Sequence, residues 1–312
     1  MATLPGSTLD IFPINLGGNP FGWTTDQAQS FAVLDAFREA GGNFIDSADA
    51  YSMWVDGNSG GESETIIGQW MAARGNRDDV LIATKVGMLE SRKGLAHDTV
   101  VAALDDSLQR LGTEHVDLYY AHYDDEDVAI ADQVATFHSR VTAGKARAIG
   151  LSNFSPARMR EWFETARREG MTMPSAIQPR YSLVSRSDYE RDYAPIAEEF
   201  GVAIFNYPAL ASGFLTGKYR TDADFDGKPR GNAARRYYEA GGLQVVDALV
   251  EIAEARDTQP TTVALAWLLA KGITAPIASA SRPDQLDATM AAPSLRLSDD
   301  DVAALDAASD SF

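Results

Sequence analysis

There is no cysteine among the 312 residues, so neither a disulfide framework nor a thiolate metal site can form. Only four histidines occur, none spaced His-x-x-x-His, and no metal is expected. Long apolar runs are missing too. The longest, from Val263 to Ala270, is far short of the roughly 20 residues that span a bilayer, so no membrane is expected as partner. Positive charge is scarce: 27 Lys and Arg stand against 45 Asp and Glu, a formal net charge of -18. Nucleic acid as the main partner is thereby disfavoured, because it requires a basic surface. The first ten residues carry no Lys or Arg and no apolar h-region, and the expected location is cytoplasmic. No Gly-x-Gly-x-x-Gly occurs, which removes a Rossmann dinucleotide site. Gly213 to Lys218 looks like a phosphate loop but is one residue short, and Tyr219 follows where Ser or Thr is required.

What the chain does contain is alternation. Apolar runs near 14–18, 43–46, 80–85, 116–122, 147–151, 176–181, 202–205 and 274–278 read as strands, with helical spacing in most of the intervals. Eight β/α steps imply a parallel sheet covered by helices, open or closed, and this length favours a closed (β/α)8 TIM barrel. With no repeats or linkers, residues 1–312 read as one domain. Thr8 to Phe12 is expected in an N-terminal hairpin that plugs the barrel bottom. After the seventh strand a long irregular loop, 207 to about 242, breaks the rhythm. Two extra helices complete the chain, the last one capped by Ser298. The acidic runs 124–127 and 299–301 are expected at helix starts, where negative charge suits the macrodipole.

Four polar residues stand where such runs end: Asp46, Tyr51 in the turn just after it, Lys85 and His122. In a barrel of parallel strands these ends share one rim, the rim at which such folds build chemistry. Lys85 closes an apolar run and needs a carboxylate, for which Asp46 on the neighbouring strand is the natural partner. That pair alone reads equally as a structural clasp. Tyr51 adds a second reading: a nearby ammonium lowers a phenol's pKa, ordinarily about 10, and makes it a general acid. His122 reads either as a satisfied core histidine or as a hydrogen-bond donor that orients a carbonyl oxygen. Segment 213–242 holds six cations, Lys218, Arg220, Lys228, Arg230, Arg235 and Arg236, against four carboxylates. It is a solvated loop or a basic lid over an anionic cofactor, to which Arg282 would add. Two rim carboxylates acting as a glycosidase would leave Lys85 and Tyr51 without roles.

Several stretches then match one family in order. They are Phe44 to Tyr51, Gly61 to Glu64 with Ile67-Gly68, Thr84-Lys85, Asp117 to His122, Gly144 to Asn153, and Ala211 to Tyr219. Nearly end to end, the sequence resembles the aldo-keto reductases, in particular the long-loop branch that includes bacterial reductases and potassium-channel β-subunits. The resemblance implies reduction of aldehydes or ketones by NADPH, with Tyr51 as proton donor, Lys85 and Asp46 as its partners and His122 positioning the carbonyl. It implies that Ser152, Asn153 and Gln178 hold the nicotinamide carboxamide and that Tyr207 stacks on the ring. Leu210, Gly213, Leu215, Gly217 and Lys218 would cover the pyrophosphate; Ser281, Arg282, Gln285 and Thr289 would read the adenosine end. Arg282 favours NADPH over NADH, since a guanidinium pairs bidentately with a phosphate. The sequence departs from the common pattern at Pro208-Ala209, Ser279 and Thr289. Rim residues Trp23, Met53, Trp54, Tyr123, Arg180 and Tyr181 are the substrate candidates, with a small-molecule carbonyl compound as partner. The same resemblance permits an alternative, a redox-sensing or regulatory subunit that binds NADP(H) and turns over very slowly.

Overall fold

Strand alternation decides which side chains reach the rim. A computed structural model describes residues 1–312. A short antiparallel pair, β1 (Ala2–Thr3) and β2 (Asp10–Ile11), comes first. Eight parallel strands follow: β3 (Asn15–Gly17), β4 (Phe44–Asp46), β5 (Leu81–Val86), β6 (Val116–Ala121), β7 (Ala146–Ser152), β8 (Ala176–Gln178), β9 (Ala203–Ile204) and β10 (Ile277–Ala278). They are hydrogen-bonded in the order β10-β3-β4-β5-β6-β7-β8-β9. Across the remaining seam the Thr274 N–H donates to the Ile204 carbonyl at 3.0 Å and the Ile277 N–H to the Asn206 carbonyl at 3.2 Å. These bonds close the sheet into a (β/α)8 TIM barrel.

Successive residues of a strand face opposite sides. Phe44, Ala83, Leu118, Tyr120, Ala148, Ala176, Ala203 and Phe205 form an apolar cluster inside the barrel, and Leu4 and Ile11 of the hairpin enter the same cluster. The hairpin therefore plugs the bottom. One more inward step gives Asp46, Lys85, His122 and Gln178, and two steps beyond Ala148 give Ser152. The polar top layer continues the same alternation that fills the core below. Outward residues such as Ile45, Ile82, Tyr119, Ile149 and Ile177 join the larger apolar shell under the helices.

Three sequence-based expectations change. Segment 207–242 is not irregular throughout: Gly231–Glu239 is a helix, so three extra helices are present rather than two. Ala234 and Tyr237 form its buried face, with Tyr237 packed on Phe214 at 6.1 Å between ring centroids. Exposed arginines beside so narrow an apolar stripe hid its period. The helix after β6 begins only at Ile130, so the acidic run 124–127 expected at its start lies in the preceding loop. There Asp124 pairs with Arg158 at 2.6 Å and Asp125 accepts the Leu95 N–H at 2.7 Å, so both carboxylates tie loops rather than cap a helix. Between β8 and β9 the helical spacing yields a regular helix only from Ala194, after a wider turn at Tyr189–Tyr193. Asp299–Ala308 does start as expected, with Ser298 in a capping box.

Candidate active site

The Lys85 ammonium donates to Asp46 Oδ2 at 2.6 Å, to the Ser47 carbonyl at 2.7 Å and to Tyr51 Oη at 2.9 Å. Its three donors are thus all used, which is how a fully buried ammonium is tolerated. Tyr51 in turn donates to Asp46 Oδ2 at 3.0 Å, and the Gln178 amide donates to Asp46 Oδ1 at 2.9 Å. The chain reaches this arrangement through a tight turn after β4, where Ser52 is left-handed (φ 70°) and its hydroxyl is anchored to the Phe21 carbonyl at 2.8 Å. His122 follows β6, with its N–H on the Val86 carbonyl at 2.9 Å. Its ring stands edge-on to Tyr51 at 6.2 Å between centroids, and its buried Nδ1 has no partner.

Electrostatics corrects one expectation. Lys85 does not lower the resting phenol. Burial, then the Asp46 carboxylate, push Tyr51 well above the ordinary tyrosine value, because Asp46 touches the same oxygen as the ammonium. Burial lowers Lys85 against the opposing pull of Asp46. Burial and the Lys85 charge push His122 well below its usual value, so the imidazole is neutral. The resting site is a protonated phenol and a neutral imidazole around a locked Lys–Asp pair.

A second layer is tied to this one. Ser152 Oγ donates to the Gln178 carbonyl at 3.0 Å, and Asn153 Nδ2 donates to the His122 carbonyl at 2.8 Å and to Ser152 Oγ at 3.0 Å. Asn153 adopts a left-handed backbone (φ 55°), and its Oδ1 accepts the Tyr207 hydroxyl. From Asp46, Tyr51, Gln178 and Tyr207 a cavity of about 920 Å³ runs past Leu210, Gly213 and Lys218 to Ser281, Gln285 and Thr289. That volume lies near the top of the roughly 300–1,000 Å³ range of small-molecule sites.

Not every expected residue reaches the cavity. Leu215 is fully buried in the apolar shell, and Gly217 (φ 80°) ends the short turn Ala211–Thr216. Arg282 is exposed and paired with Asp284 at 3.0 Å. Ser281 meets Thr24 at 3.2 Å, and its N–H donates to Gln285 Oε1 at 2.8 Å. Thr289 donates to the Gln285 carbonyl at 3.3 Å within its helix. Around Tyr51, Trp54 stands edge-on to the cavity-lining Trp23 at 5.5 Å and to Tyr51 at 6.4 Å, while Tyr123 lies 5.2 Å from His122. Trp54 and Tyr123 are 46% and 42% exposed, so these aromatics form an open mouth beside the phenol.

Two residues at the cavity wall stood out little in the sequence. Asn19, just past β3, accepts from Ser279 Oγ at 2.7 Å and from Arg230 at 3.2 Å. Arg230 was one of six loop cations; its guanidinium lies 5.4 Å over the Trp23 ring, lines the cavity and has no carboxylate. Burial, followed by the like charges of Arg230, Lys228 and Arg282, lowers Lys218. Gly213 lies beneath that ammonium at φ 87°, and a Cβ there would sit 2.9 Å from Lys218 Nζ. Lys218 and Arg230, neither of them paired with a carboxylate, line this elongated groove and suit an anionic dinucleotide. Behind the site, Asp49 is buried with neither oxygen bonded; burial, reinforced by Glu64, holds its carboxyl well above the usual range.

Comparison with known proteins agrees with this architecture. The model of the aldo/keto reductase family matches residues 13–310. The chain is 33% identical to the Aldo-keto reductase ausK of Emericella nidulans, covering 98% of this chain and 80% of that protein. It is 31% identical to the Aryl-alcohol dehydrogenase [NADP(+)] of Phanerodontia chrysosporium, over 86% of this chain and 74% of the other. A probable voltage-gated potassium channel subunit beta from Oryza sativa is 31% identical, over 87% and 84%.

Proposed function

The chain belongs to the aldo/keto reductase family and is an NAD(P)H-dependent oxidoreductase, and on that premise we propose that it reduces aldehydes or ketones to alcohols with NADPH, Tyr51 giving the proton. The observation that carries this reading is the shared contact of Tyr51 Oη with Lys85 Nζ and Asp46 Oδ2 at the cavity floor. When bound, the reduced cofactor supplies the hydride to the carbonyl carbon. The carbonyl oxygen then needs a proton, and the Tyr51 phenol holds one over the working pH range. To deliver it, Tyr51 turns its O–H from Asp46 to the substrate oxygen. Lys85 stays on the phenolic oxygen and stabilises the negative charge as it develops, which is where the ammonium does its work. Neutral His122 donates a second hydrogen bond to the same oxygen and fixes its direction.

Ser152, Asn153 and Gln178 are the polar groups within reach of a nicotinamide carboxamide, and Tyr207 is its stacking face. Lys218 and Arg230 are the cations for the pyrophosphate. Arg282 would take the adenosine 2′-phosphate by leaving Asp284, and a cytoplasmic setting goes with this reading. The relative bearing a channel-subunit name supports a second reading, cofactor binding with very slow turnover. One assay separates them: loss of NADPH absorbance with 4-nitrobenzaldehyde and methylglyoxal, beside Tyr51→Phe. The reductase reading expects turnover that falls by about 10²–10⁴ in Tyr51→Phe while NADPH still binds. Binding without turnover on any carbonyl leaves the slow-turnover reading, and a fully active Tyr51→Phe removes the phenol from the mechanism.

A further inference from the structure

Two arginines converge on one tyrosine at the rim with no carboxylate between them. Arg180 Nη2 reaches the Tyr237 hydroxyl at 3.4 Å, and Arg236 Nη2 reaches it at 2.7 Å. Tyr237 is only 3% exposed, and Arg236 also lies 4.6 Å over its ring, so the phenol is a fixed post for two exposed guanidiniums. Accepting from both leaves the Tyr237 proton free to be donated outward. Two neighbouring cations of the loop are paired instead. Arg235, one residue earlier on the helix, is paired to Asp222 at 2.6 Å and Asp226 at 3.3 Å, and Arg220 is paired to Asp247. In a chain with 45 acidic residues, two guanidiniums that share one phenol and have no ion-pair partner are suited to an anion.

Its position relative to the chemistry follows from the backbone. Arg180 lies two residues past Gln178, whose amide holds Asp46. The Tyr181 N–H bonds the Tyr207 carbonyl, and the Tyr207 N–H bonds the Pro179 carbonyl, both at 3.0 Å. Arg180 therefore sits beside Tyr207, which lines the same cavity as Tyr51. An extended chain rises about 3.3 Å per residue, so Arg180 stands roughly 7 Å up the rim from Gln178, the reach of one substituted benzene ring or a short chain.

We propose that Arg180, Arg236 and Tyr237 form an anchor for a carboxylate at the far end of the substrate, making the preferred substrates aldehydes or ketones that carry an acid group. This rests on the reductase reading above for its substrate but not for its binding site. The groups involved bind and orient; they take no part in proton or hydride transfer.

The test compares 4-carboxybenzaldehyde with methyl 4-formylbenzoate, which has nearly the same shape and no charge, on wild type, Arg180→Gln, Arg236→Gln and Tyr237→Phe. Arg180→Gln and Arg236→Gln should each raise KM for the acid about ten- to hundredfold, the loss expected for a hydrogen-bonded charge, with the ester's KM and both kcat values little changed. Tyr237→Phe should have a smaller effect in the same direction. Equilibrium binding of the product 4-(hydroxymethyl)benzoate to the NADP⁺ complex, read by tryptophan fluorescence, should weaken in parallel. Equal shifts for acid and ester, or no shift, overturn the anchor. A loss of NADPH affinity instead would assign the arginines to the cofactor and overturn it too. If the benzoate binds through Arg180 but no carbonyl is turned over, the reductase reading fails while the anchor stands.

Discussion

At the Tyr51 end of the cleft each donor of the buried ammonium has an acceptor; at the Lys218 end four cations crowd together and push against one another. The first end is preorganised. Lys85 and Asp46 are fully buried at adjacent strand ends, and further bonds from Tyr51 and Gln178 leave them one arrangement. The second end is built from loop residues, among them Lys218 and the exposed Arg282. Chemistry requires fixed geometry before substrate arrives, and a barrel core supplies it. Binding a long anion can be completed by the ligand, whose charges relieve the repulsion among the cations of the groove. The two ends should therefore respond to mutation in different currencies, stability at one and affinity at the other.

The largest effect should come from breaking the buried pair. Lys85→Met leaves the Asp46 carboxylate without its counter-charge and should cost about 3–5 kcal/mol of folding stability. Replacing both, in Lys85→Met with Asp46→Leu, removes the stranded charge, and the double variant should be more stable than the single one. Urea unfolding of the three proteins checks this; a single variant as stable as wild type would mean the pair is wet and loosely held. At the other end, Lys218→Ala and Arg230→Ala should each weaken NADPH binding about tenfold or more and flatten its salt dependence, with the unfolding midpoint within error of wild type. A large loss of stability in either would erase the contrast.

His122 sharpens the comparison through pH. Its folded pKa is pushed well below the ordinary 6.5 or so, while the unfolded chain titrates normally. Between those two values the unfolded state binds a proton that the folded state refuses. Stability then rises with pH in that window and is lost as pH falls below about 6.5, by at most about 1.4 kcal/mol per pH unit. His122→Gln should remove this part of the slope. Equal slopes in both proteins would show that the imidazole becomes protonated without cost.

How much of this was legible in the sequence also divides between the two ends. The ends of the apolar runs locate Asp46, Lys85 and His122, and a strand that buries Ala83 inward also turns Lys85 inward; Gln178 was implied only by the family resemblance. The hairpin plug was an expectation that periodicity alone did not establish; Leu4 and Ile11 in the barrel cluster supply it. What was not legible depends on which partner wins a shared atom. Asp46 and Lys85 both touch the Tyr51 oxygen, and that burial and the carboxylate outweigh the ammonium follows only from their positions in the fold. The acidic run at 124–127 suits a helix start by composition, yet Arg158 and the Leu95 N–H, both distant in sequence, claim it. The helix Gly231–Glu239 escaped notice because its stripe is two residues wide, Ala234 and Tyr237, flanked by charges. Arg230 differs from its neighbours on the loop only in facing Asn19 and Trp23, contacts made across most of the chain.

The smallest effect is expected at Arg282, and the reason lies in its present partner. Its side chain is 65% exposed and held by Asp284, itself equally exposed, at 3.0 Å. A 2′-phosphate must displace that carboxylate, so the gain is a difference between two exposed ion pairs rather than the full value of one. Such differences are worth about two- to fivefold in affinity. Arg282→Ala should accordingly lower NADPH affinity by that factor and leave NADH affinity unchanged, while Asp284→Asn, which frees the guanidinium, should move the ratio the opposite way. Fluorescence titration of both cofactors on the three proteins reads all of it. If Arg282→Ala weakened NADH as much as NADPH, the residue would be holding the loop and not the phosphate. The selectivity would then have to reside in the cations around Lys218.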